Sequence, residues 1–260
     1  MATFRLKLEG EPRRISLKSF VQATNSSFKI VNELDSAISG GGGLLEWVVT
    51  DLKLDGLVIE AESYSRVEGR DTGLEVVRAF VNGLGQIERE GTTPPYLSEA
   101  GLGHARRLIK LIGQNGTQGL QVSNLEETVD LTARASANVE QLLQVRRESV
   151  GSVEGKLETN SAHGRAHKFL LYQSRTNKAV ACSIGLELID QARAAIGHRA
   201  SVAGIVQYNL KSEPVRVVVK RIRVLRGAAE LPSISDLTGS DPAFTGEMGS
   251  VEYLRSIRGA

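Results

Sequence analysis

Four histidines and one cysteine are the side chains best suited to hold a metal or to act as nucleophile and base, and three of the histidines share one stretch with the cysteine: His163, His167, Cys182 and His198. His163 and His167 have the spacing of a helical ligand pair, but Gly164 lies between them. No Cys pair or second His pair completes a tetrahedral set, so no metal is expected. Cys182 has no nucleophile signature around it and no serine sits in a Gly-x-Ser-x-Gly frame. His104, between Gly103 and Ala105 on a helical stretch, reads as a surface residue. The run Gly40 to Gly43 lacks the Lys-Ser/Thr pair of a phosphate loop and does not follow a strand into a helix, so it reads as a loop. The carboxylates of Glu60, Glu62, Glu126 and Glu127 are close in sequence, but general acid/base work needs convergence that spacing alone does not supply. The expectation is a non-enzymatic protein without a cofactor.

Charge gives the stronger signal. The chain has 32 basic and 30 acidic residues, a net of +2, yet residues 148 to 226 hold 13 Lys/Arg against 6 Asp/Glu, a net of +7, and the remainder carries −5. An uneven distribution of this kind points to an acidic partner for the basic segment. Single-stranded nucleic acid is held by cations that track the phosphates and by aromatic faces that stack the bases. The residues in this segment suited to that task are Lys168, Phe169, Tyr172, Arg175, Lys178, Tyr208, Lys211, Arg216, Lys220, Arg221 and Arg223. Strands alternate faces, so Phe169 and Tyr172 cannot both point outward without a bulge, and one of them belongs to a core. Exposed cations on a strand also serve solubility or blunt an edge.

The elements that must position these residues follow from hydrophobic period. Phe4 to Leu8 alternates as a strand, and Glu9 to Pro12 follows as a turn. Between Ser16 and Ile38, Leu17, Phe20, Val21, Phe28, Val31, Leu34 and Ile38 recur at threes and fours around Thr24 and Asn25. This predicts a short helix leading into a longer one capped by Asn25. Leu44 to Thr50 and Gly56 to Tyr64 read as paired strands, with Asp55 and Gly56 available for the turn. Helices are expected from Thr72 to Glu90, after Pro94 and Pro95, and from Ala133 to Gln144, with one or two short strands between Gly119 and Thr132. The basic segment reads as strand (Ser149 to Thr159), strand (Lys168 to Gln173), strand (Lys178 to Ser183), a helix closed by Gly197, strand (Arg199 to Tyr208) and a long strand (Val215 to Leu225). In the last strand the inward pattern shifts near Lys220 and Arg221, as a β-bulge requires.

Three strands, a helix and two strands is the order of the OB-fold, a five-stranded, partly open barrel that binds oligonucleotides and oligosaccharides across its second and third strands and between two loops. The segment resembles OB-fold proteins in this architecture. The whole chain is similar to uncharacterised bacterial two-domain proteins with a basic C-terminal barrel and a short tail. The order of elements divides the chain into an α+β domain over residues 1–146, an OB-like barrel with one helix over 147–226, and an irregular tail with a short amphipathic helix over 227–260. The OB-like order and the basic charge together point to a binding role for the barrel, with single-stranded DNA or RNA as the ligand. The alternative is a protein partner engaged by the tail, as adaptor and antitoxin-like proteins do. There Val251, Tyr253, Leu254 and Ile257 lie on one side of a short amphipathic helix with Arg255 and Arg258 beside them. With 41% hydrophobic and 24% charged residues, no signal-like N-terminus and no apolar run near the roughly 20 residues of a membrane span, a cytoplasmic protein is expected.

Overall fold

Alternation in β1 (Thr3–Gly10) sends Phe4, Leu6 and Leu8 to a buried face and Arg5 and Lys7 to the other. This strand is the centre of the N-terminal half in a computed structural model that describes residues 1–10, 15–53, 57–159, 169–226, 244–246 and 248–258. It pairs antiparallel with β3 (Val58–Ser65) and β4 (Thr117–Ser123), and β2 (Leu45–Lys53) and β5 (Thr128–Leu131) form the edges, in the order β2-β3-β1-β4-β5. Helix α2 (Gly73–Arg89) lies on the apolar face and puts Val77, Phe80 and Leu84 against it; α1 (Leu17–Ile38), α3 (Glu99–Ile109) and α4 (Ala133–Leu143) complete the layer.

The sequence predicts two helices before Ile38, and the structure has one. Its cap is Ser16, whose Oγ accepts the Ser19 N–H at 3.1 Å, while Asn25 is exposed in the helix interior. The buried side also differs. Ser19, Ala23, Ser26 and Ser27 face inward with Ile30, Val31 and Leu34, whereas Leu17, Val21 and Phe28 are exposed. Small side chains let α1 come close to α2 and α3; Phe20, Val31, Leu34 and Ile38 of the apolar stripe do meet the core, but a reading that counts only apolar residues misses the serines and alanine and adds Leu17, Val21 and Phe28.

The second half is a ring of five strands. β6 (Val145–Thr159) pairs antiparallel with β7 (Phe169–Gln173) and with β9 (Arg199–Asn209). β7 pairs with β8 (Ala179–Ser183), β8 runs parallel to β10 (Pro214–Val224), and β10 closes onto β9. Val153, Leu157, Phe169, Leu171, Val180, Val202, Val206 and Val217 fill the interior, with Ala192 and Ala195 of α5 (Ile189–Ala195) packed against them; a turn of 3-10 helix, Leu186–Leu188, precedes α5. Closure brings backbones very near each other. A Cβ on Gly155 would lie 2.1 Å from the Tyr172 carbonyl oxygen, and one on Gly204 would lie 2.0 Å from that of Val218. The register of β9 and β10 slips between Val219 and Arg221, so the shift expected near Lys220 is a bulge.

A third apolar cluster joins the halves. Ala37 at the end of α1 packs with Leu170, Tyr172 and Ala179 of the ring, flanked by Tyr96 and Ala181, and Met1–Leu225 forms one compact unit. Arg226–Ala260 is a separate unit containing α6 (Ser250–Arg258), where the Phe244 and Tyr253 rings meet edge to face at 5.4 Å. No helix among the described residues is long and apolar enough to cross a membrane.

Candidate binding surface

Paired residues on neighbouring strands point to the same side of a sheet, so the register reads out each face of the ring row by row. On the outward side of β7 and β8, one row is Lys156, Tyr172 and Ala179, and the next is Glu158, Leu170 and Ala181. This is the region where the sequence places the stacking face. Phe169 is 2% exposed and belongs to the ring interior, and Tyr172, at 8%, lies beneath the N-terminal half. As alternation requires, one of the two, Phe169, turns into the core, and neither ring is free to stack a base: Tyr172 points outward, but into a contact that buries it. Burial, and next the charges of Glu33 and Glu158, push the Tyr172 hydroxyl well above the usual tyrosine range.

Two of the expected cations hold the same contact together. Lys178 Nζ lies 2.5 Å from Glu213 Oε1, and Glu213 also accepts the Thr93 hydroxyl at 2.6 Å and the Thr93 N–H at 3.2 Å. Burial alone would raise the Glu213 carboxyl, but the bonds from Lys178, Thr93 and Asn209 hold it below the usual carboxylate range. Arg216 Nη2 donates to both carboxylate oxygens of Glu99 at 2.8 Å. These charges tie β10 to the start of α3 and the β9–β10 turn to the segment between α2 and α3.

The outward side of β6, β9 and β10 has a different character. Its rows are Val150, Ile205 and Val218; Ser152, Ala203 and Arg221; and Glu154, Ser201 and Arg223. Val150 is 88% exposed, and Lys220, at the bulge, is exposed beside Arg221 and Arg223. Lys211 and Arg175 are exposed in the β9–β10 and β7–β8 turns, and none of these five cations makes an ion pair among the described residues. Tyr208 is half-buried and carries the Arg147 guanidinium 4.8 Å above its ring. Arg147 escapes a sequence reading that begins the strand at Ser149; β6 starts four residues earlier. Lys168, like His163 and His167, lies outside the described residues.

The residues able to do covalent or acid/base chemistry stay apart. His104 Nδ1 accepts from Arg107 Nη1 at 2.8 Å, and burial followed by the charges of Arg107 and Lys29 lowers its pKa, which favours the neutral ring. Burial pushes the Cys182 thiol up to about 12, so it is a core thiol and not a thiolate. Glu60 pairs with Arg5 at 2.8 Å and Glu126 with Arg78. Among the described residues no three His, Cys, Asp or Glu side chains converge as metal ligands.

In the tail, no residue of α6 is buried, and Val251, Leu254 and Ile257, three apart, are exposed along one side with Arg255 and Arg258 next to them. Tyr253 instead turns toward Phe244. No protein-family model, curated protein or solved structure matches the chain.

Proposed function

We propose that the chain is a non-enzymatic binding protein whose ring is an OB-type barrel and contacts single-stranded nucleic acid through the cations of β10 and its neighbouring turns. The fold part of this reading rests on connectivity. Three strands, a helix and two strands close so that the first strand meets the second and fourth, and the fifth closes onto the third. The binding part rests on one observation: Lys220, Arg221 and Arg223 are exposed on the open side of the ring, and Lys211 in the β9–β10 turn, with no carboxylate partner among the described residues. Charge left unpaired in this way is suited to phosphates, which it contacts by displacing condensed counterions. With Phe169 and Tyr172 buried, the contact is to the backbone more than to bases, and little sequence preference is expected. Titrating a fluorescent single-stranded oligonucleotide at increasing salt tests this. A linear fall of log affinity with log salt is expected, and salt-insensitive binding or no binding contradicts it.

A second reading is favoured by α6. A nine-residue helix with no buried residue and an apolar side bordered by two arginines suits an apolar, acid-rimmed groove on a protein partner. Deleting residues 249–260 abolishes a partner's binding on this reading and leaves oligonucleotide affinity unchanged.

A further inference from the structure

The row that ends on Tyr172 begins on β9 with Arg199, so Arg199, Lys156 and Tyr172 lie side by side across three strands. They form one wall of a cleft of about 400 Å³ whose opposite wall is Ala37, Ile38, Gly40 and Tyr96. Lys156 and Arg199 are directly opposed like charges, an arrangement that destabilises a sheet unless something offsets it. Glu158 at 2.8 Å from Lys156 and Glu154 at 3.2 Å from Arg199 do so only in part, because both cations are about half exposed and such pairs are screened. The Lys156 ammonium is 3.9 Å from where a Cβ on Gly40 would stand, at the rim made by four glycines, all with positive φ. No side chain from that loop separates the cation from the cleft.

The aromatic wall is held in a strained form. Tyr96 has φ +61° and Asn177 has φ +51°, uncommon for non-glycine residues, and each fixes the other. The Tyr96 N–H donates to the Asn177 carbonyl at 2.8 Å, and Asn177 Nδ2 donates to the Tyr96 hydroxyl at 2.8 Å. The Tyr96 ring is thereby set 6.3 Å from that of Tyr172. Strain kept in place by surrounding bonds clusters at ligand clamps. A volume of this size matches a small-molecule site.

We propose that this cleft binds a small anion carrying a flat ring, of the mononucleotide class, with its phosphate on Lys156 and Arg199 and its ring against Tyr96. The site is separate from the β10 cations and stands or falls independently of them.

Calorimetric titration of the full chain with AMP, ribose 5-phosphate and adenosine tests the proposal. AMP binds, and each half-ligand binds about tenfold more weakly or less, since losing one charged or stacking contact costs about a decade of affinity. Lys156→Gln and Arg199→Gln each weaken AMP by about tenfold with a melting temperature no lower than that of wild type, since each relieves a like-charge opposition, whereas Lys220→Glu leaves AMP affinity alone. No AMP heat at millimolar concentration, or ribose 5-phosphate binding as well as AMP, overturns it. So does AMP affinity that survives both glutamine variants or that falls with Lys220→Glu.

Discussion

The two outer faces of one ring differ in almost every respect. Across β7 and β8 the outward residues are Leu170, Tyr172, Ala179 and Ala181, which pack on Ala37 and Tyr96; across β6, β9 and β10 they include Val150, Ser152, Arg221 and Arg223, open to solvent. The first is the side where the sequence reading places the ligand face. In this chain its own N-terminal half covers it, and the cations expected to greet a ligand there, Lys178 and Arg216, bind Glu213 and Glu99 instead. Topology thus defines which faces exist, and side chains at alternate positions decide which one remains free.

The largest expected effect breaks this comparison directly. Leu170→Ala removes a buried side chain from the joining contact and costs about 2–4 kcal/mol, whereas Val150→Ala, on the open face, stays within about 0.5 kcal/mol. Urea unfolding followed by circular dichroism measures both, and equal losses would erase the distinction between the faces.

Next comes the ion-pair network that locks the covered face. Glu213→Gln should cost about 1–3 kcal/mol, because Lys178 and Thr93 lose a charged acceptor. The sign with pH follows from the depressed carboxyl. Glu213 contributes fully above its unfolded value of about 4.5, and the contribution fades as pH falls through the lower folded value. The gap between wild type and Glu213→Gln in thermal melts therefore closes on acidification; a gap that widens would contradict the network.

The smallest effect concerns the tail. Deleting residues 249–260 should leave the unfolding free energy of Met1–Leu225 within about 0.5 kcal/mol, since no residue of α6 is buried. A loss of cooperativity in the urea transition would show otherwise.

Much of the fold is legible in the sequence because it rests on period and punctuation. Alternation at Val153, Gly155 and Leu157 gives the inward side of β6, and the slip near Lys220 is visible as a shift in that alternation. The α1 face is hidden because serine and alanine at Ser19, Ala23, Ser26 and Ser27 do not register as core-forming, yet close helix contact needs small residues. For the binding surface, the sequence gives the charge of the segment but not its availability. Lys178 and Lys220 look alike in sequence, and only the folded chain brings Glu213 to the one and leaves the other without an ion pair among the described residues. The cleft at Lys156 and Arg199 is equally invisible, since its walls come from distant parts of the chain, Ala37 to Tyr96 on one side and Lys156 to Arg199 on the other.

The central claim is that the open face, and not the covered one, makes the contact with a polyanion. Its most direct test is the affinity of the triple reversal Lys220→Glu, Arg221→Glu and Arg223→Glu for a single-stranded oligonucleotide at fixed low salt, with folding verified by an unchanged melt. The account predicts a loss of at least about tenfold and a shallower salt slope; affinity equal to that of wild type would contradict it.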